Sequence, residues 1–183
     1  MPVQTWQETL IVAQSDGTAY TNLATESTAL LPTQAKWTMP AGYLDTIGKR
    51  FRIKASGRIS NAVSATIQFR VKVGAVAVFA DAARALNATS KTNVTWDLEL
   101  GLVVRSVGSA ATMIATGIFT SEAVIGVGTG VFAGSMSLPA GSPAVGTSFD
   151  STVANVWDLT AQWGAASASN SIQVHMFQLE SLN

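Results

Sequence analysis

Apolar and polar residues alternate with a period of two along much of this chain, the period at which successive side chains of a half-buried strand point to opposite faces. Phe51, Ile53 and Ala55 alternate with Arg52, Lys54 and Ser56, and Ile67, Phe69, Val71 and Val73 alternate with Gln68, Arg70 and Lys72. Trp96, Leu98, Leu100 and Leu102 alternate with Asp97, Glu99 and Gly101, after which Val103-Val104 breaks the pattern as a β-bulge would. Met113–Phe119 is a further strand. Trp157, Leu159, Ala161 and Trp163 then share a face opposite Asp158, Thr160 and Gln162, and a loop of Gly, Ala, Ser and Asn leads to Ile172, Val174 and Met176. Phe177 and Leu179 fall on the other parity. The last strand therefore reads as apolar on both sides near its end, with the second face covered by an N-terminal arm or another subunit.

The first forty-odd residues differ. Thr9–Ala13 and Ala19–Thr21 flank Ser15-Asp16-Gly17, whose Asp-Gly pair accepts positive φ, so a hairpin is expected. Pro32 and Pro40 stop two later apolar pieces and cannot donate to a ladder, which assigns those pieces to sheet edges or to an arm crossing the body. An arm and a first sheet strand both fit. Residues 74–86 are rich in alanine, but Val76, Val78 and Phe79 favour a strand running into a loop. Residues 126–146 are Gly-rich and read as a long loop or an edge hairpin. Eight to ten strands with little helix predict an all-β fold, an antiparallel β-sandwich of jelly-roll type, divided into an N-terminal arm or hairpin segment (1–45) and a sandwich domain (46–183).

Composition sharpens this picture by exclusion. Cysteine is absent, so no disulfide or thiolate metal site supports the fold. Charged residues make up 12% of the chain and the formal net charge is zero, which gives no global attraction to nucleic acid or to an anionic membrane. Lys49, Arg50, Arg52, Lys54, Arg58, Arg70 and Lys72 nevertheless concentrate the basic charge, and no Lys or Arg follows Arg105. Two strands with wet basic faces account for most of this cluster; a charged partner surface is the other reading. Residues 123–149 are uncharged but broken by Gly and Pro, so a membrane helix is not expected. The N-terminus has neither a basic start nor an apolar run, which predicts a soluble protein made without secretion.

Chemical motifs are sparse. His175 is the single histidine, no Gly-x-Ser-x-Gly elbow exists, and one His without Cys cannot supply a usual metal ligand set, so His175 reads as a packing residue and no cofactor is expected. Asp97 and Glu99, two apart on one strand face, are the one pair of carboxylates spaced for acid and base roles; facing water beside a cross-strand cation is the simpler reading. Gly126-Val127-Gly128-Thr129-Gly130 lacks the Lys-Ser/Thr of a phosphate loop, and Asn87-Ala88-Thr89 and Asn93-Val94-Thr95 read as polar turn and strand residues. Of five tryptophans, Trp96, Trp157 and Trp163 take core positions, while Trp6 and Trp37 are candidates to anchor a partner or to stack on a sugar.

The segments Gly48–Ser60, Leu86–Trp96, Ala161–Trp163 and Ser169–Gln173 resemble those of tailed-bacteriophage virion proteins, with a broader likeness to jelly-roll capsid decoration, or cement, proteins. The resemblance implies a non-enzymatic homotrimer on the capsid exterior, made in the host bacterial cytoplasm, whose N-terminal arms reach the major capsid protein and neighbouring copies. Trp6, Leu10, Ile11, Leu30, Leu31 and Trp37 are then the expected partner-binding residues. The alternative is a carbohydrate-binding, lectin-like head-fibre or tail protein of a phage.

Overall fold

The computed structural model describes residues 6–126 and 133–182, and in them the alternating segments become two antiparallel sheets packed face to face. Twelve strands are present among these residues: β1 (Glu8–Val12), β2 (Tyr20–Thr21), β3 (Thr38–Met39), β4 (Arg50–Asn61), β5 (Thr66–Val73), β6 (Val76–Ala80), β7 (Arg84–Ala85), β8 (Lys91–Ser106), β9 (Thr112–Ser121), β10 (Gly134–Leu138), β11 (Asn155–Trp163) and β12 (Ser171–Ser181). A single 3-10 turn spans Thr33–Ala35. The larger sheet has the order β1-β12-β4-β8-β9-β10, with β2 also on β12; the smaller has the order β3-β11-β5-β6, with β7 also on β5. No helix among the described residues is long and apolar enough to cross a membrane.

The inward positions of both sheets meet in one core, and aromatic rings bridge it. Phe69 of β5 lies 5.1 Å from Phe119 of β9 and 6.3 Å from Trp96 of β8, and Phe51 of β4 lies 5.0 Å from Trp157 of β11, all centroid to centroid. These separations suit offset aromatic contacts, so the same rings that supply buried apolar area also fix how the sheets face each other. Trp96 is seated by a glycine. A side chain at Gly57 would collide with the Gln173 carbonyl, and across that bare stretch of β4 the Trp96 indole donates to the carbonyls of Arg58 and Gln173, each at 3.2 Å.

The same place explains β12. Its pairing with β4 shifts register between Val174 and Met176, a β-bulge that inserts one residue and reverses the parity beyond it. Ile172, Val174, Phe177 and Leu179 are consequently all buried in the core, and Met176 and Gln178 point outward. The expectation of a strand apolar on both faces is corrected: one face is apolar, and the bulge moves it. A smaller correction concerns β8, where Leu102 and Val104 continue the buried alternation and the irregularity falls between Val104 and Ser106.

The N-terminal segment is not a detached arm. β1 and β2 do not form a hairpin with each other; both pair with β12, and between them Ala13 N–H bonds the Phe177 carbonyl and Gly17 N–H the Val174 carbonyl. Gly17 is required by close approach, since a side chain there would strike the Leu30 carbonyl, and its φ is not positive. Next, Ser27 exchanges hydrogen bonds with the main chain of Ala161 on the margin of β11, and β3 pairs with the start of that strand. Residues 13–39 thus bridge the β12 margin of one sheet and the β11 margin of the other, sending Tyr20, Leu30, Leu31, Ala35 and Met39 into the core. A boundary at 45/46 separates nothing structural, because the described part of 1–45 completes both sheets.

Residues 76–85 are strand, loop and short strand. Part of the Gly-rich stretch, 127–132, lies outside the described residues, and β10 after it is an edge strand paired with β9. Three of the segments that resemble phage proteins meet at one end of β4, where Ile59 pairs with both Val94 and Ile172 and Ser60 pairs with Ser171. There buried Asn61, Asn87 and Asn170 tie loops: Asn170 Oδ1 accepts from Ala62 N–H at 2.8 Å, and Asn61 Nδ2 donates to the Asn87 carbonyl at 3.3 Å.

Candidate functional site

The six expected partner-binding residues separate by depth. Leu30 and Leu31 are each 1% exposed, so neither is available at the surface of this chain, and that expectation is corrected. Trp37 is half-buried, edge-on to Tyr43 at 5.1 Å and tilted against Trp157 at 6.2 Å, which makes it a flank of the core. Leu10 and Ile11 are half-buried on edge strand β1, against the core. Trp6 alone of the six is open, at 70% exposure.

His175 sits in the β12 bulge, and its Nδ1 is 2.9 Å from Asp16 Oδ2, which pins the 13–19 loop where both paired backbones are irregular. Its Nε2 is buried without a partner. Among the described residues no group of three potential metal-ligating side chains stands together.

The two sheets differ in their outer faces. On the smaller one, residues 22–37 lay Glu26 against Lys72 at 3.6 Å, Arg70 at 4.0 Å and the Thr160 hydroxyl at 2.6 Å, and Lys36 against Asp158 at 2.6 Å. Burial pushes the Asp158 carboxyl above its usual range and Lys36 pulls it back in part. The basic face of β5 is therefore neutralised inside the chain.

The outer face of the larger sheet is open and concave. Register places Val12, Gln178, Lys54, Glu99 and Ile118 in one row across five strands, and Met176, Ser56, Asp97 and Thr120 in the next. Ser56 is the short side chain in the middle of long neighbours, and the face dips there into a groove of about 560 Å³, inside the ~300–1,000 Å³ range of small-ligand sites. Met176, Ile118 and Val12 present apolar surface to it, with Met176 at 67% exposure. At its margin Arg52 bonds Glu180 at 2.5 Å, and Gln7 and Gln178 also donate to that carboxylate. Burial alone would raise the Glu180 pKa; the Arg52 hydrogen bond and charge hold it below its usual range. By contrast, none of the ion pairs among the described residues reaches Asp97, Glu99 or Lys54.

The sequence identified Asp97 and Glu99 as a pair on one strand face, and the groove is where they stand. Ser56, Met176, Ile118 and Gln178 were not recognised, because they come from three other strands and only register brings them together. Trp96, Trp157 and Trp163 are buried, and the groove lining includes neither of the sugar-stacking candidates, Trp6 and Trp37.

No family model matches the sequence, and no curated protein matches it. Among solved structures the chain is similar to one described as the CBM2 module of Lactobacillus casei BL23 phage J-1 evolved Dit, at 10% identity and a TM-score of 0.41, over 99% of this chain and 98% of that one. At that distance no residue role transfers.

Proposed function

We propose that this chain is a non-catalytic structural protein of a bacteriophage particle that works by adhesion, with carbohydrate as its recognition target. The phage assignment rests on the sequence resemblance of the segments around β4, the start of β8 and the β11–β12 loop. The adhesion assignment rests on one observation above all, the open groove of the larger sheet, where Asp97, Glu99 and Lys54, none of them in an ion pair among the described residues, stand between the apolar side chains of Met176 and Ile118. Cementing through a free N-terminal arm is the weaker reading, because the arm residues Leu30 and Leu31 are interior. What favours a residual cement role is Trp6, open beside the β1 edge, where an aromatic anchor could meet a capsid subunit.

Catalysis has less support. Asp97 and Glu99 are both exposed on the same strand face beside Lys54, where facing water next to a cross-strand cation accounts for them. His175 faces Asp16. In this reading the protein acts as a homotrimer on the particle surface, where several weak sites engage together.

The test is a paired binding experiment with purified protein. Saturable binding to host-envelope polysaccharide, with no gain in the thermal survival of undecorated capsids, supports the carbohydrate reading. Capsid binding with protection and no polysaccharide binding replaces it with the cement reading.

A further inference from the structure

We infer that the groove over Ser56 is the carbohydrate subsite itself and that it takes neutral or amino-bearing oligosaccharides while disfavouring acidic ones. This rests on the adhesion reading above and adds a location and a charge preference to it.

Three observations point to a hydroxyl-rich ligand. First, Ser56 is 7% exposed as a residue and lines the groove, and its hydroxyl, which makes no hydrogen bond to the described residues, is left to whatever occupies the groove. Second, most of the chain's eleven acidic side chains are in ion pairs and Asp150 is held by Thr152; Glu8, Asp97 and Glu99 are in none, and two of those three line the groove. A carboxylate is an acceptor only, with room for two neighbouring hydroxyl donors or an ammonium. Third, Lys54 supplies donors between them and Gln178, while Met176 and Ile118 offer apolar surface at opposite ends of the two rows. A pyranose has the matching surface, with hydroxyls around its rim and C–H groups on its faces.

Charge then sets the preference. Two carboxylates face one ammonium across the groove, so an anionic sugar meets a like charge while an amino sugar meets an opposite one. Arg52 does not redress the balance, because Glu180 already engages it.

The experiment uses the full chain and three sets of probes: glucosamine oligomers, neutral gluco-oligosaccharides and oligogalacturonates. Binding is measured by calorimetry for the unsubstituted protein and for Asp97→Asn, Glu99→Gln and Trp6→Ala. The expected result is binding of the amino or neutral set, weakened about tenfold or more by Asp97→Asn or Glu99→Gln, as loss of a charged hydrogen bond implies, and unchanged by Trp6→Ala. Binding that survives both groove substitutions and disappears in Trp6→Ala overturns the groove assignment and leaves the carbohydrate reading standing. Binding confined to oligogalacturonates overturns the charge preference. No binding to any set overturns subsite and carbohydrate reading alike, and a self-associated protein that Met176→Lys dissociates then makes the groove an interface between copies.

Discussion

Gly57 and Trp96 meet at one carbonyl: the Gln173 oxygen lies where a Gly57 side chain would stand, and the Trp96 indole donates to that oxygen and to the Arg58 carbonyl. Gly57→Ala forces a methyl group into the Gln173 backbone, which cannot retreat without opening the bulge, and costs on the order of 3 kcal/mol. Gly101→Ala, where the nearest atom to the added methyl is the Thr116 carbonyl at 3.9 Å, serves as the neutral control, and urea midpoints compare the two. Glu180 gives a pH signature. Arg52 holds its pKa down in the folded state, so its stabilisation is present above the ordinary value of 4.5 and is lost as pH falls through the lowered folded value. The stability difference between the unsubstituted protein and Glu180→Gln is therefore largest near neutral pH and shrinks on acidification below that value. Asp158, raised by burial, acts with the opposite sign and gives up stability as pH rises through its folded value. Denaturant titrations across that range separate the two.

Among the elements, the closing segment between β1 and β3 matters most. Leu31→Ala leaves a void in the core and costs about 2–5 kcal/mol, and removal of residues 1–45 yields a chain with no cooperative thermal transition, because both sheet margins and the core behind them open together. Circular dichroism on heating checks both. The long strands were legible in the sequence because alternation depends only on neighbours, as at Ile67–Val73. The closing segment was not, because Thr9–Val12 and Tyr20 pair with Ile172–Glu180 from the far side of the chain, and no local pattern announces such a partner. The β12 bulge left a trace, the change of parity between Val174 and Phe177, but a parity change and a second apolar face look alike until β4 is placed alongside. The groove was half legible: Asp97 and Glu99 could be read from one strand, whereas the shortness of Ser56 acquires meaning only between Met176 and Asp97.

At the scale of the molecule, one outer face is occupied by the chain itself and the other is not, so recognition and assembly draw on different surfaces. If the chain works as a trimer, light scattering after size exclusion returns three times the 19.0 kDa of one chain, and Met176→Lys in the groove leaves that mass unchanged while Trp6 remains available to partners. The closing segment also has a consequence in time. Residues 8–45 leave the ribosome more than a hundred residues ahead of the strands they join, β11 and β12. At about 5–20 residues per second, Leu30 and Leu31 wait several seconds or more in the open before their place exists. A fold of such distant pairings gathers slowly, and a nascent chain interrupted before Ser171 is held as an adhesive, unfinished half-shell for chaperones to shield.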